Sequence, residues 1–333
     1  MLTRIISAGL LVAAVFQVQA DQFTAQFEND LWGSGADRHY THGSRFSWSS
    51  DNELGLVQRL TRQLARTVPW MPRLDDEVED IRFNAALGQS IYTPEDINVP
   101  GLIADDRPYA GWLYLAAGAV VQQQKKGYRQ LDSFEVNLGM VGPSSLAHEV
   151  QREVHKLTDS PIPQGWDNQL KDEPGLVLLY DRQWVIPLNE PSSQLEWDFT
   201  PHLGGALGNV FTHVAGGASL RFGHNLAMDY GPPTIRPSKP GANYFSIGED
   251  EWGWYLFAGI EGRAVGRNIF LDGNTYKSSH RVDRKTWVAD GQIGVVLTFS
   301  QLRIAFTNVF RSKEFEHQQT PSEFGSIAVT FLY

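Results

Sequence analysis

The chain has 333 residues, of which 42% are hydrophobic, 12% aromatic and 20% charged. This composition excludes a disordered chain, which would contain fewer aromatic residues and more charge. The formal net charge of -10 argues against a protein that binds the nucleic-acid backbone, which would carry a basic face. The sequence contains no cysteine. Disulfides, thiol nucleophiles and thiolate metal sites are therefore excluded, and any metal ion must be bound by oxygen or imidazole.

The first twenty residues have the pattern of a secretory signal peptide. Arg4 precedes an apolar run from residue 5 to residue 16, and Val18-Gln19-Ala20 supplies the small residues of a cleavage site. An uncleaved membrane anchor is the alternative, but the run is shorter than the roughly 20 apolar residues of a membrane span. We predict a cleaved signal peptide at 1–20 and one mature domain at 21–333.

Apolar and polar residues alternate along many segments of the mature chain, beginning with Phe23, Ala25 and Phe27. A period of two is typical of a strand with one apolar face, which contacts lipid in a membrane barrel and the core in a soluble sandwich. The final strand ends on the aromatic Tyr333, which favours an outer-membrane barrel. Aromatic residues also cluster at strand ends, as membrane interfaces require: Trp184, Trp197, Trp252, Trp254 and Tyr255.

These patterns predict an all-β fold, an antiparallel transmembrane β-barrel of about twelve strands with an extracellular amphipathic helix. An even strand number puts both chain ends in the periplasm, so the connections after strands one, three and five open to the exterior. The inward connections near 51–80 and 224–251 are longer than usual. The strands are expected near 22–31, 39–50, 81–92, 109–122, 131–141, 174–187, 194–204, 212–223, 252–263, 286–299, 301–311 and 323–333.

Two polar clusters fall at the predicted outer rim. The first comprises Glu28-Asn29-Asp30 and the following segment 37–43. Alternation from Phe27 sends Asn29 outward and Asp30 inward. The second cluster, 105–112, contains an Asp-Arg pair that more often locks a rim loop than performs catalysis.

The third outer connection changes to a helical period. At about 100° per residue, Leu146, Val150, Val154 and Leu157 form an apolar stripe beside His148, Gln151 and His155. We expect Ser144 or Ser145 to cap the helix. The apolar stripe should lie against the barrel wall and hold Gln151 and His155 over the rim, where a neutral imidazole can accept a proton from water.

A set of short motifs occurs in a fixed order along the chain. The motifs are Asn29-Asp30, Asp37-Arg38, Tyr40-Thr41, Gly43, Ile91-Tyr92-Thr93-Pro94, Gly142-Pro143, Glu149-Val150-Gln151 and His155. Their order and spacing resemble the LpxR-type lipid A 3'-O-deacylase family of Gram-negative outer membranes, and the resemblance runs over nearly the whole mature chain. It implies a twelve-stranded barrel in the outer membrane, whose active site lies between the wall and an extracellular helix and faces the outer leaflet. It also implies a calcium-dependent ester hydrolase that removes the 3'-linked acyloxyacyl group of lipid A.

The resemblance also implies roles for single residues. His155 would activate water, Gln151 would help to orient it, and Ca²⁺ would stabilise the oxyanion. The family has an acidic residue shortly after the histidine, for which Asp159 is the nearest candidate. Arg38 and Arg107 could meet the phosphates of lipid A or lipopolysaccharide. The matched active-site positions are Asn29, Asp30, Thr41, Gln151 and His155, and the expected calcium ligands are Asp30, Asn29, Thr41 and Asp159.

Three alternatives remain at this stage. An outer-membrane phospholipase would use a serine nucleophile and a histidine. A pore or adhesin barrel would make His155 incidental. A soluble periplasmic sandwich would also satisfy the alternation of the strands. No nucleic-acid partner is expected.

Overall fold

The computed structural model describes residues 22–32, 39–50, 78–190, 194–226, 231 and 252–333. The predicted signal peptide and most of both long inward connections lie outside the described residues. Twelve strands are present, each close to its predicted position. They are β1 Gln22–Asn29, β2 His39–Ser50, β3 Val78–Thr93, β4 Ala110–Lys125, β5 Tyr128–Val141, β6 Glu173–Pro187, β7 Glu196–Gly208, β8 Phe211–His224, β9 Trp252–Asn268, β10 Trp287–Phe299, β11 Leu302–Arg311 and β12 Ser322–Leu332.

The strands form one closed antiparallel barrel. Every strand pairs with its neighbours in sequence, and β12 closes the barrel by pairing with β1, with Phe23 opposite Phe331. Closure satisfies the backbone hydrogen bonds of both edge strands, which a lipid environment requires. The predicted twelve-stranded barrel is therefore confirmed. Within the described ranges, no helix is long and apolar enough to cross a membrane.

Alternation along the strands separates an apolar outer face from a polar lumen. On the outer face, Phe23 stacks on Phe46 with ring centroids 6.4 Å apart. In the lumen, Arg45 donates to both carboxylate oxygens of Glu135, at 3.2 and 2.7 Å. Buried charges need such partners, because an unpaired charge in a medium of low dielectric constant is strongly destabilising.

The predicted aromatic girdle is largely present at the periplasmic end. Trp197 and Trp252, each near the start of its strand, are 41% and 49% exposed on the outer face. Tyr255 is an exception, because its side chain is buried and its hydroxyl accepts a hydrogen bond from the luminal Arg303. The prediction that Tyr255 belongs to the girdle is wrong, since its position on β9 has inward parity.

The outer mouth of the barrel is filled by an aromatic plug, which comprises Tyr92, Trp112, Phe211 and Phe270. Phe270 belongs to a one-turn helix, α2 (Ile269–Asp272), that follows β9, and its ring stacks on Tyr92 at 4.0 Å. All four rings are at most 6% exposed. The described part of the mouth is thus a packed core.

Candidate active site

The outer face of β1, β2 and β3 is polar at the extracellular rim. Asn29 is the last residue of β1 and lies opposite His42 of β2. Glu28, its neighbour, faces the lumen, where it accepts a hydrogen bond from Tyr40 at 2.5 Å. Asn29 therefore faces outward, in agreement with the alternation of β1.

A β-bulge turns Thr41 to the same outer face. In the ladder between β2 and β3, Tyr40 pairs with Tyr92 and His42 pairs with Ile91, so Thr41 is an extra residue. Its hydroxyl lies 2.7 Å from the hydroxyl of Thr93. Bulges of this kind redirect side chains at barrel rims and beside active sites. Sequence alternation alone does not reveal this bulge.

Asp30 directly follows Asn29 and begins a short 3-10 helix, Asp30–Trp32. Asp30 is only 2% exposed. The β-carbon of Trp32 packs so closely on β12 that a β-carbon at Gly325 would lie 2.6 Å from it. This contact fixes the turn that carries Asp30 to the barrel seam.

The predicted extracellular helix is present as α1 (Ala147–Thr158), and it packs on the outside of β3 and β4. Ala147 forms a buried cluster with Ile91, Tyr109 and Trp166. Gly111 of β4 permits this approach, because a β-carbon at that position would lie 2.2 Å from the Ala147 β-carbon. A small residue on each side thus lets the helix dock directly on the wall.

The orientation of α1 differs from the sequence expectation. Its buried residues are Ala147, Gln151 and His155, which lie one turn apart along one face. The apolar residues Val154 and Leu157 are 39% and 76% exposed. The prediction that the apolar stripe lies against the wall is therefore wrong for these two residues, whereas Val150 packs on the buried cluster around Ala147. The polar side chains of Gln151 and His155 can be buried because the loop that follows α1 supplies their hydrogen-bond partners.

The serines before α1 do not cap it. Leu146 is the N-cap residue, without a side-chain capping bond, and its φ is 59°. Ser144 donates its hydroxyl to Asp172 at 2.9 Å, and Ser145 donates to the carbonyl of Gly142 at 2.6 Å. Both serines instead stabilise the 3-10 turn Pro143–Ser145 and its contact with the returning loop.

Hydrogen bonds orient the two polar side chains that α1 buries. The indole of Trp166 donates to Gln151 Oε1 at 2.9 Å. Among the described residues, no acceptor is within hydrogen-bond range of the buried Gln151 Nε2. His155 Nδ1 lies 2.6 Å from the carbonyl oxygen of Pro161. Since that oxygen can only accept, Nδ1 carries the proton and Nε2 of the neutral ring is the basic nitrogen.

The remaining predicted residues lie apart from this face. Asp159 is exposed, with φ 55°, and its backbone N–H caps the helix by donating to the His155 carbonyl. Arg107 is 1% exposed, contacts the carboxylate of Glu314 at 3.4 Å and lies over the Tyr92 ring. This placement does not support the expectation that Arg107 meets substrate phosphates, because its side chain turns inward under the rim loops. Arg38 lies outside the described residues.

The donor atoms at the rim suit calcium in kind. Asn29, Asp30 and Thr41 offer an amide, a carboxylate and a hydroxyl oxygen, and Ca²⁺ prefers such hard ligands and takes six to eight of them. Backbone carbonyls, water or substrate would have to supply the rest. In the part of the chain that the structure describes, no group of three or more histidine, aspartate or glutamate side chains is arranged to hold a metal ion.

Sequence reasoning missed three contributors to this site. Thr93 and Trp166 contact Thr41 and Gln151, and the Pro161 carbonyl fixes the histidine tautomer. A backbone carbonyl has no sequence signal. Trp166 is a large apolar residue in a polar extracellular loop, and this is the signal by which it could have been found.

Comparison with known proteins places this geometry in a family. The family model described as "Outer membrane protein LpxR" matches residues 2–333. LpxR from Salmonella typhimurium is similar in structure, with a TM-score of 0.74 at 18% identity over 94% of this chain and 100% of that chain. The alignment with the β domain of the Bordetella autotransporter BrkA covers 94% of this chain and 99% of that chain, with a TM-score of only 0.46 and 8% identity. No curated protein matches the sequence. Because the family model spans nearly the whole chain, the protein belongs to the LpxR family of outer-membrane proteins.

Proposed function

We propose that the protein is a lipid A 3'-O-deacylase that hydrolyses the ester of the 3'-linked acyloxyacyl group, with lipopolysaccharide of the outer leaflet as its substrate. The observation that carries the proposal is the buried polar face of α1. Gln151 and His155 are buried on the same side of the helix as Ala147, and hydrogen bonds to the following loop hold both side chains in one orientation. Burying a polar group costs free energy unless it is hydrogen-bonded, and the Gln151 amide nitrogen is buried without a partner among the described residues, as expected of a group that is held in place to bind a substrate or a water molecule.

His155 would act as the general base. The Pro161 carbonyl holds the proton on Nδ1, so the Nε2 lone pair can take a proton from water. The water attacks the ester carbonyl, and its proton passes to Nε2. The imidazolium then returns that proton to the leaving sugar oxygen, which balances the hydrolysis. A positioned base of this kind contributes roughly 10²–10⁴-fold to the rate.

Gln151 would orient the reactants. Because Trp166 engages its carbonyl oxygen, the amide nitrogen is directed away from the indole and can donate to the water or to an ester oxygen. A fixed donor requires little reorganisation during the reaction, and one such donor contributes about 3 kcal/mol to the stabilisation of an oxyanion in well-studied hydrolases.

Calcium is proposed as the cofactor. Asn29, Asp30 and Thr41 would hold it at the rim, and Asp159 would have to turn inward to join them. Bound calcium would supply positive charge that polarises the ester carbonyl and stabilises the oxyanion.

Two alternatives, a phospholipase with a serine nucleophile and a non-enzymatic pore, receive less support. Ser144 and Ser145, the serines of the helix loop, have structural partners that account for their presence. The aromatic plug fills the described part of the outer mouth, which does not favour an open pore.

The test is mass spectrometry of lipid A from a host that expresses the chain. The wild type should remove one acyloxyacyl unit, His155→Ala should remove none, and chelation of calcium should abolish the reaction. His317→Ala is the matched control, because His317 is an exposed histidine in the loop after β11. Unchanged lipid A with a folded wild-type barrel, or full activity of His155→Ala, would contradict the proposal.

A further inference from the structure

The face of α1 that remains uncovered is apolar. Leu146, Val154 and Leu157 are 48%, 39% and 76% exposed. We call these three residues the apolar flank. Val150 lies between them on the helix, but it is half-buried and packs on the wall cluster that contains Ala147. Large apolar side chains scattered on a surface need no explanation, but three on one side of a single helix in an extracellular loop do.

The surroundings of α1 determine which way the apolar flank faces. Trp166 stacks on the ring of His148 at 5.6 Å, so the returning extracellular loop covers that side of the helix. The backbone of this loop is tied to the loop between β3 and β4, since Gln164 donates to the Ile97 carbonyl. At about 100° per residue, His148 lies roughly opposite the centre of the apolar flank. The extracellular loops therefore cover one side of α1, and the apolar flank points toward the membrane.

The height of α1 on the wall agrees with this direction. Ala147 sits over Gly111, and Leu115, four residues along β4, is 50% exposed on the outer face. At about 3.3 Å per residue and a strand tilt of about 40°, Leu115 lies about 10 Å nearer the membrane centre. Leu115 pairs with Leu138 of β5, which in turn pairs with Leu176 of β6, so exposed leucines continue around the outer face at this height. An interfacial helix buries its apolar side about 5–10 Å into the boundary between headgroups and acyl chains.

The side of α1 away from the wall is charged, as an interfacial helix requires. Glu153 accepts a hydrogen bond from Lys156 at 3.0 Å and contacts Arg152 at 3.4 Å. The bond from Lys156 lowers the pKa of the Glu153 carboxyl, which stays ionised at neutral pH. The backbone at Leu146 adds a further indication. A leucine at φ 59° is unfavourable, and asparagine or glycine would fit this backbone better, so the backbone conformation does not account for an exposed leucine at this position.

We propose that the apolar flank of α1 is immersed in the acyl chains of outer-leaflet lipids, so that the helix is an interfacial anchor as well as one wall of the candidate site. The occupant is bulk membrane lipid. The proposal depends on where the helix lies and not on the proposed hydrolysis, so it can be tested equally well in the His155→Ala protein.

The absence of cysteine from the sequence permits a direct test by single nitroxide labels. Leu157→Cys is the test position, Ile260→Cys on the outer face of β9 is the hydrocarbon control, and Tyr276→Cys in the loop before β10 is the aqueous control. These three residues are 76%, 72% and 75% exposed, so the labels are matched in steric freedom. Arg152→Cys reports the charged side of the same helix.

The mature protein is reconstituted in vesicles of phospholipid and lipopolysaccharide, and label collisions with oxygen and with a water-soluble nickel chelate are compared. We expect the label at Leu157 to collide preferentially with oxygen, as at Ile260, while the label at Arg152 resembles that at Tyr276. Preferential collision of the Leu157 label with nickel would overturn the proposal. Spin–spin broadening or disulfide dimers at Leu157 alone would overturn it in favour of a second copy as the occupant. Folding of each variant is checked by its mobility on gels before and after heating.

Discussion

Docking of α1 on the barrel depends on the missing side chain at Gly111, and this can be tested by adding one methyl group. A β-carbon at Gly111 would lie 2.2 Å from the Ala147 β-carbon and 2.2 Å from Ser145 Oγ. Carbon atoms in contact are normally about 3.5–4.0 Å apart. The Gly111→Ala substitution should therefore push the start of the helix about 1.5 Å off the wall, since the strand is held by its ladder.

The expected result is a loss of activity without loss of the barrel. A misplacement of about 1 Å in a catalytic group can cost about 100-fold in rate, so Gly111→Ala should deacylate lipid A about 100-fold more slowly. Overpacking of this kind costs about 1–3 kcal/mol, and the helix should bear this cost by undocking. The thermal transition of the barrel, followed by gel mobility or circular dichroism, should hardly change.

Two comparisons make the experiment decisive. Gly101→Ala is the matched control, because a β-carbon there meets no atom within 4 Å, and it should retain the wild-type rate. The double substitution Gly111→Ala with Ala147→Gly moves the methyl group across the interface and should recover part of the activity. Equal rates for Gly111→Ala and Gly101→Ala would refute the reasoning that docking of α1 positions the reactive groups.

Three further predictions concern single contacts. Trp166→Phe removes a hydrogen bond of about 1 kcal/mol, so kcat should fall about fivefold, while the exposed control Trp287→Phe should leave kcat unchanged; a fall in both would indicate a general effect on stability. Thr93→Val removes the partner of the Thr41 hydroxyl and should raise the calcium concentration that gives half-maximal activity; an unchanged calcium requirement would argue against Thr41 as a ligand. Burial raises the pKa of the Asp106 carboxyl in the loop between β3 and β4. Folding of this loop therefore favours the protonated acid, and the stabilisation is lost as the pH rises through the folded-state pKa. Hydrogen exchange of the loop, corrected for the intrinsic pH dependence, should show more protection at pH 4 than at pH 7, and Asp106→Asn should reduce this difference.

The strands could be predicted from the sequence because each has one face in lipid and one face in a polar lumen. This environment imposes a strict alternation, as in Phe23 to Asn29, and makes each strand independently recognisable. The same alternation predicted that Asn29 faces outward. The residue type was a poorer guide than the alternation at Tyr255, because an aromatic side chain suggested the membrane interface although the parity of β9 directs it inward.

The helix could be located by its period, but its orientation could not be predicted. An apolar stripe normally marks the buried face of a helix in a soluble protein. Here the medium on one side is lipid, so Leu157 is in a favourable place while exposed, and Gln151 and His155 are buried. An apolar stripe that faces a protein core and one that faces lipid have the same helical period, and only the position of the helix on the wall distinguishes the two.

The detailed geometry of the site depends on contacts between residues that are distant in sequence. The bulge at Thr41 is visible only when β2 is aligned with β3, and the tautomer of His155 is set by a backbone carbonyl in the following loop. Arg107 was expected to meet substrate phosphates because the cluster 105–112 falls at the predicted outer rim. Its burial beside Glu314 reflects tertiary packing that no local pattern encodes.

The aromatic plug has a consequence for the cell envelope as a whole. Barrels of sixteen or more strands commonly enclose an aqueous channel, and each copy then adds to the leakage of small solutes. In this barrel Tyr92, Trp112, Phe211 and Phe270 occupy the described part of the outer mouth as a solid core. The number of copies in the membrane can therefore rise without weakening the exclusion of antibiotics or the retention of periplasmic metabolites. A change in drug susceptibility after expression of the protein would then report altered lipid at the cell surface and not leakage through the barrel.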